Sequence, residues 1–330
     1  MRIIVTGGAG FIGSNLVDEL VKLKHKVIVI DNLVTGQIKN LKKNLKKIKF
    51  FRIDISRKKN ITKLNNIFKN IDCVYHLAGL ADIVPSIENP YKYYEVNVTG
   101  TLHVLQAAKL NKIKKFMYAA SASCYGESPN FPTDEKSKVF TEYPYALTKS
   151  LGEKLVLHWN KVYRLNTSSF RFFNVYGPRS RTTGAYGAVF GVFLSQKVNK
   201  KPLTIVGNGK QTRDFIHVSD LVNALVLAIK RSKPGEIYNI GSSKETSVNE
   251  IAKLIGGKKI YVPKRPGEPL RSLANINKAK KHLKWKPKTT INEGVSMLMK
   301  NLNNWKNAPV WTPKKIDKAT EVWFKYLKRD

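Results

Sequence analysis

Residues 2–13 constrain this chain more than any other stretch. Arg2-Ile-Ile-Val-Thr6 is a short β-branched run that predicts a buried strand. It leads directly into Gly7-Gly8-Ala9-Gly10-Phe11-Ile12-Gly13, and residues 14–23 then show helical periodicity. Strand, glycine turn and helix in that order form the context in which a glycine motif predicts a dinucleotide site. Gly7 would permit the tight turn. Gly10 would let the backbone approach a pyrophosphate at the helix N-terminus, and Gly13 would let the helix pack on the strand. The alternative, a plain structural turn, is disfavoured by the position and by the flanking pattern.

The alternation continues down the first half. Strands are expected at 26–30, 49–53, 71–76, 114–119 and 167–172, with helices between them, including 90–110 and 145–163. This is the signature of an α/β fold with a Rossmann-type, doubly wound parallel sheet, in which ligands sit beyond the C-terminal strand ends. Asp31 closes the second strand, about twenty residues after the glycines. A carboxylate there accepts hydrogen bonds from the adenosine ribose hydroxyls and repels a 2′-phosphate, so NAD is expected rather than NADP. Asn32 can assist at the same ribose, although Asp31 could instead cap a turn. Asp54 and Ile55 end the third strand, placed to meet an adenine edge. Leu77-Ala78-Gly79 ends the fourth with small residues where a cofactor can lie close, and Ser121-Ala122-Ser123-Cys124 follows the fifth.

From about residue 176 the pattern loosens. A helix is expected at 184–200, and short strands at 202–209 and 211–216 around an Asn-Gly turn. A helix at 220–231, a strand at 236–240 and a helix at 247–255 follow. Then come a proline- and glycine-broken loop at 263–269 and helices near 278–283, 291–305 and 315–327. The expected division is an NAD-binding domain over 1–175 and a smaller C-terminal α/β substrate domain over 176–330, with an interleaved boundary and a cleft between the halves.

Within the helix at 145–163, Tyr145 and Lys149 are four residues apart and share one face. An ammonium held beside a phenol favours the phenolate, and a free tyrosine titrates near pKa ~10, so a base working near neutrality needs such help. By itself the pair reads equally as a solvated helix face. The nucleotide site gives it weight.

Bulk properties bound the function. With 330 residues, 42% of them hydrophobic, the chain can bury a real core. It has no apolar run long enough to span a bilayer, and Met1 leads straight into the first strand, leaving no room for a signal peptide. Its two cysteines, Cys73 and Cys124, match neither a disulfide framework nor a metal-ligand spacing, so no metal is expected and a reducing cytoplasm is the simple reading. The net charge of +36 is mostly lysine spread over loops and outer helix faces. It is read as a solvated surface, not a nucleic-acid or membrane interface, whose field can draw in an anionic substrate.

Taken together, Thr6-Gly-Gly-Ala-Gly-Phe-Ile-Gly13, His76-Leu-Ala-Gly79, Tyr145-x-x-x-Lys149 and Arg213-Asp-Phe-Ile-His-Val-Ser-Asp220 resemble, in order, the extended short-chain dehydrogenase/reductase family. Within it the chain looks most like the nucleotide-sugar 4-epimerases of the UDP-glucose and UDP-N-acetylglucosamine type, over roughly residues 1–290. The resemblance implies that Tyr145 is the general base and acid at the sugar hydroxyl, and that Lys149 holds the nicotinamide ribose and lowers the Tyr145 pKa. Ser121, with Ser123 as a lesser candidate, would hydrogen-bond the same sugar oxygen. Phe11, Ile12, Leu77 and Phe172 join the cofactor contacts named above. Asn174 and Arg213 would hold the sugar diphosphate, and Arg265 and Glu268 would reach the diphosphate and nucleoside ribose. The bland alternatives are a surface pair of Arg213 with Asp214 and a turn role for Asn174.

Similar 4,6-dehydratases and glucuronate decarboxylases carry an acid in the segment after the fifth strand, and this chain has none there. Ser272 stands where strict UDP-glucose enzymes are expected to carry tyrosine, leaving room for an N-acetyl group. Ala81, where some epimerases have lysine, and the tail after about Trp305 depart from the pattern. Similar proteins pair helices equivalent to 90–110 and 145–163 into a homodimer interface. The competing expectations are a dehydratase, a uronate epimerase or decarboxylase, or a keto-sugar reductase of the same family. A basic nucleic-acid-binding protein is the non-enzyme alternative.

Overall fold

A computed structural model gives the structure of the chain and describes residues 1–180 and 189–327. Twelve strands occur in chain order among the described residues. They are β1 (Arg2–Thr6), β2 (Lys26–Asp31), β3 (Lys49–Arg52), β4 (Cys73–His76), β5 (Lys115–Ser121), β6 (Thr167–Phe172), β7 (Asn174–Tyr176), β8 (Leu203–Val206), β9 (Thr212–His217), β10 (Glu236–Ile240), β11 (Glu245–Ser247) and β12 (Lys259–Val262). Seven of them form one parallel sheet in the order β10-β6-β5-β4-β1-β2-β3. The six strands read from the first half are all present in it.

The chain runs from β1 outward to β3, then returns to place β4 on the other side of β1. The crevice beyond the ends of β1 and β4 is therefore the topological switch point, where open α/β sheets bind ligands. The central strands are apolar on both faces because helices cover both. On one side Leu16, Val17 and Leu20 of the helix Phe11–Lys22 pack with Leu221 and Leu225 of the helix Val218–Arg231. On the other, Leu64, Phe68, Val104, Leu105, Val156 and Trp159 form the second layer.

β10 comes from the second half of the sequence yet extends the main sheet, pairing with β6 from Glu236↔Ser168 to Ile240↔Phe172. The rest of that half builds a separate small core of Phe190, Phe193, Ile205, Ile251, Leu298 and Trp305. It carries a three-stranded sheet, β11-β9-β7, and the parallel pair β12-β8. Only Phe173 separates β6 from β7, so the second unit grows directly from the C-terminal end of a central strand.

Two expectations change, and a third is completed by its pairing. The two short strands around Asn208-Gly209 are present as β8 and β9 but do not pair with each other. β8 is taken by β12 in register Leu203↔Lys259, and β9 lies between β11 and β7. Asn208 does turn the chain, its Oδ1 accepting the Lys210 N–H at 3.0 Å, but the pairing edges face different partners. The stretch 90–110 is helical but not one regular α-helix: a π-helical turn, Glu95–Thr99, interrupts it. The helix Ile291–Lys300 stops before a 3₁₀ turn, Leu302–Trp305, at a run of asparagines (Asn301, Asn303, Asn304) whose side chains compete with helix hydrogen bonds. The expected helix at 184–200 is seen as Val189–Val198, and its first residues, 184–188, lie outside the described residues.

Candidate active site

The glycine turn is built as its sequence requires. Gly7 has φ +69°, and a Cβ there would stand 2.7 Å from the Ala78 backbone nitrogen, so β1 and β4 can end this close together only with glycine. A Cβ on Gly13 would meet the Gly8 Cα at 2.7 Å, which ties the first helical turn to the strand exit. Gly10 is the N-cap of the helix and lines the cleft.

Asp31 is buried at the end of β2. Its Oδ2 accepts the Ala9 N–H at 2.9 Å and its Oδ1 accepts the Leu33 N–H at 2.8 Å. The turn-capping alternative thus holds as well as the cleft-lining one, and the carboxylate fixes the glycine turn from behind. A Cβ on Gly36 would lie 2.9 Å from either Asp31 oxygen, so the glycine keeps that side open. Burial raises the Asp31 pKa, with the Leu33 and Ala9 N–H groups opposing it. Asp54 accepts from the Ser56 N–H and hydroxyl at 3.0 and 2.7 Å and bonds Asn32.

These residues line a cavity of about 770 Å³. Gly7, Gly10, Phe11, Ile12, Gly13, Asp31, Asn32, Asp54, Ile55, Leu77, Ala78, Phe172, Tyr145 and Lys149 all face it, so every residue expected at a dinucleotide is brought together. A second cavity, of about 500 Å³, is lined by Ser121, Ser123, Asn174, Arg213, Arg265, Glu268 and Ser272. Tyr145 and Phe172 line both cavities.

Tyr145 is held at this junction by its helix, Pro144–Tyr163. Pro144 occupies the first helical position, and the Tyr145 N–H donates to the Ser86 hydroxyl at 3.1 Å. Its phenol hydrogen-bonds Ser121 and Ser123. Those two hydroxyls are themselves 2.8 Å apart, the Ser123 hydroxyl donating to Ser121 Oγ. The Tyr145 pKa moves opposite to the expected direction. Burial raises it, Ser121 and Ser123 pull it down, and the Asp82 carboxylate adds to the rise. Desolvation of a phenolate this deep outweighs the neighbouring polar groups.

Lys149 is buried beneath the dinucleotide cavity, its Nζ 4.4 Å from the centroid of the Tyr118 ring. Burial brings its pKa down to about 7, against the favourable field of Glu153 one turn further along the helix. Glu153 in turn is locked to Arg171, whose Nη2 donates to its Oε1 at 2.5 Å and whose Nη1 donates to the Tyr125 hydroxyl at 2.8 Å. Ser169 adds a 2.8 Å hydrogen bond to the same carboxylate.

In the second cavity Arg213 pairs with Glu268 at 2.9 Å, and Arg265 lies 3.8 Å from the same carboxylate. Arg213 therefore does not pair with Asp214. That acid is buried and accepts from the Ser242, Ser243 and Ala274 N–H groups. Asn174 opens β7 with its side chain exposed to the cavity, not in a turn. The acids facing this cavity are Asp82, Glu142 and Glu268, and none of them lies in the segment 121–124 at the C-terminal end of β5.

Sequence reasoning missed Asn97, Tyr143 and Trp323. Asn97 sits in the π-helical turn, where the widened backbone lets it face inward. Its Oδ1 accepts the Leu80 N–H at 2.8 Å, and its Nδ2 donates to the Leu80 carbonyl and the Thr148 hydroxyl, both at 3.0 Å. It ties the loop after β4 to the Tyr145 helix. The available signal was an amide between two valines in an otherwise apolar stripe. Tyr143 stacks on Tyr145, with ring centroids 6.4 Å apart. Trp323 comes from the tail and lines the second cavity.

With this geometry, the chain belongs to the NAD dependent epimerase/dehydratase family, whose profile matches residues 3–241. It is thereby an NAD-dependent enzyme of the sugar-nucleotide epimerase class. It is 37% identical over 310 residues to the putative UDP-glucose 4-epimerase of Methanocaldococcus jannaschii, covering 92% of this chain and 97% of that protein. The structure of a UDP-glucose 4-epimerase with UDP-glucose from Thermotoga maritima superposes with a TM-score of 0.87 at 32% identity, covering 92% of this chain and 99% of that one. A UDP-N-acetylglucosamine 4-epimerase from Methanobrevibacter ruminantium, in complex with UDP-N-acetylmuramic acid, gives 0.84 at 31% identity, covering 91% and 98%. Among the described residues no helix is long and apolar enough to cross a membrane.

Proposed function

We propose that this protein is a nucleotide-sugar 4-epimerase acting on substrates of the UDP-glucose and UDP-N-acetylglucosamine type. The observation that supports it best is the Tyr145 phenol standing where the dinucleotide cavity meets a second, arginine-lined cavity, with Ser121 hydrogen-bonded to it. Tyr145 takes the proton of the sugar C4 hydroxyl and later returns one. Ser121 donates to the same sugar oxygen as it becomes a carbonyl, which stabilises the charge that develops there. Lys149 holds the nicotinamide ribose, Asp31 and Asn32 the adenosine ribose, and Gly10 presents the helix N-terminus to the pyrophosphate. NAD, when bound, would supply a hydride acceptor and then a donor, and the keto-sugar turning its opposite face to the cofactor between the two transfers would invert C4 without net oxidation.

Arg213 and Arg265 suit a diphosphate because each guanidinium offers a bidentate fork. Their shared partner Glu268 keeps both aimed into the cavity and is free to turn to the nucleoside ribose. Ser272 leaves space for an N-acetyl group. The 1–175 and 176–330 division assigns the cofactor to the first part and the nucleotide sugar to the second. Tyr91, Tyr94, Leu102, Leu147 and Val162 expose apolar surface on the helices expected at a homodimer interface.

The test is incubation of the purified protein with UDP-glucose and UDP-N-acetylglucosamine without added NAD. The C4 epimers should form. Failure to convert any UDP-, dTDP- or GDP-sugar overturns the proposal. A 4-keto-6-deoxy product or released carbon dioxide would instead mark a dehydratase or a decarboxylase.

A further inference from the structure

The tail that the sequence motifs leave unexplained is fastened onto the sugar side of the site. The buried Ser195 hydroxyl donates to the Pro309 carbonyl at 2.9 Å, and the buried Gln196 amide donates to the Trp311 carbonyl at 2.6 Å. Trp311 and Ile316 then pack with Val206 and Val262 at the ends of β8 and β12. The helix Pro313–Leu327 buries Ile316, Thr320 and Trp323, which fall on one stripe, while half of its other positions are Lys, Asp or Glu. Ile316 faces Val206 and Val262, and Trp323 faces the loop at 263–269.

Trp323 is the point of contact. It is 4% exposed, and its indole N–H donates to the Pro266 carbonyl at 2.6 Å. Its ring lies 5.3 Å from the Arg265 guanidinium carbon and 6.4 Å from the Tyr143 ring, which stacks on Tyr145. The loop needs such an anchor. Gly267 has φ +65° with nothing within 4 Å of a built Cβ, so its outer side is open. A long arginine on an open loop pays a rotamer cost on binding unless something fixes it beforehand.

We infer that Trp323 is a positioning residue for nucleoside-diphosphate recognition: it clamps Arg265 and Pro266 at the edge of the second cavity, so that Arg265 meets the diphosphate already aimed. The inference rests on the diphosphate role proposed for Arg265 above. It assigns Trp323 no part in the proton transfer at C4.

The experiment compares the full-length, NAD-loaded wild type with Trp323→Ala and Trp323→Phe, using UDP as the binding probe in calorimetry and UDP-glucose or UDP-N-acetylglucosamine in kinetics. Trp323→Ala should weaken UDP binding and raise KM, each roughly tenfold, as expected for losing a desolvated cation–π contact. Its kcat should stay within about twofold and its NAD content should be unchanged, because a loss of uniform binding raises KM alone. Trp323→Phe keeps a ring face and should recover most of the affinity. Unchanged UDP affinity in Trp323→Ala overturns the inference, as does a fall in kcat at constant KM, a loss of NAD, or a Phe variant no better than Ala. A folded, NAD-containing wild type that binds no UDP overturns the substrate reading beneath it, a result distinct from failure of Trp323 alone.

Discussion

In the proposed mechanism two side chains on one helix face, Tyr145 and Lys149, set the chemistry, and each responds to burial differently. Tyr145→Phe removes the proton carrier and leaves the ring, so turnover should fall by ~10² or more while bound NAD is retained. Wild-type turnover in that variant would exclude Tyr145 as the base. Ser121 is one of the groups that pull the Tyr145 pKa down. Ser121→Ala should therefore move the ascending limb of the pH–rate profile to higher pH, whereas an unmoved limb would show the serine only positions substrate. Lys149 gives a stability prediction. Burial lowers it to about 7 in the folded protein, while an unfolded lysine stays near ~10.4. Between those values the unfolded chain binds the extra proton, so stability is complete above the unfolded value and is lost as pH falls toward the folded one. Relative to wild type, Lys149→Met should be stabilised at about pH 6 and lose that gain by about pH 10, measured by urea unfolding. A gain independent of pH would contradict the shift. Tyr145 and Lys149 were legible because their four-residue spacing is itself the geometry. The direction of the Tyr145 shift was not, because it depends first on burial and then on residues distant in sequence, Ser121 lowering the pKa and Asp82 raising it.

At the scale of elements, the helix Pro144–Tyr163 carries Tyr145, Lys149 and Glu153 at successive turns, linking the reacting phenol to a buried ion pair. Breaking such a pair by removing one partner leaves an uncompensated charge. Glu153→Ala, which strands Arg171, should therefore cost about 3–5 kcal/mol. A loss below about 1 kcal/mol in urea unfolding would mean that the network contributes specificity rather than stability. The parallel strands could be read from sequence since each is a short apolar run followed by a site residue. The Asn208-Gly209 turn left the pairing of its strands open because turn chemistry reports a change of direction, and the partners of β8 and β9 are fixed by β12, β11 and β7. Asn97 escaped for a related reason: a π-helical turn, invisible to a 3.6-residue period, brings it to the loop after β4.

At the scale of the whole molecule, the chain crosses between its two parts more than once. β10 returns to the main sheet after the second core has begun, and the helix Pro313–Leu327 returns to the second cavity. The net charge of +36 should make kcat/KM for an anionic nucleotide sugar fall as ionic strength rises, with kcat little changed, because screening weakens long-range attraction. A salt-independent kcat/KM would leave the lysines with no role in capture. Light scattering should give the mass of a dimer if the exposed apolar residues on the helices Pro90–Tyr94, Gly100–Leu110 and Pro144–Tyr163 pair between subunits.

The central claim is that one phenol serves a sugar carbon whose hydrogen leaves and returns within the closed site. The direct measurement follows UDP-glucose deuterated at C4, incubated with wild type and with Tyr145→Phe carrying equal NAD, using NMR of the nucleotide-sugar products. The expected result is a C4 epimer that keeps its deuterium at C4, formed at least ~10² times more slowly by the variant. Deuterium lost to solvent during turnover, or a variant as fast as wild type, would contradict it.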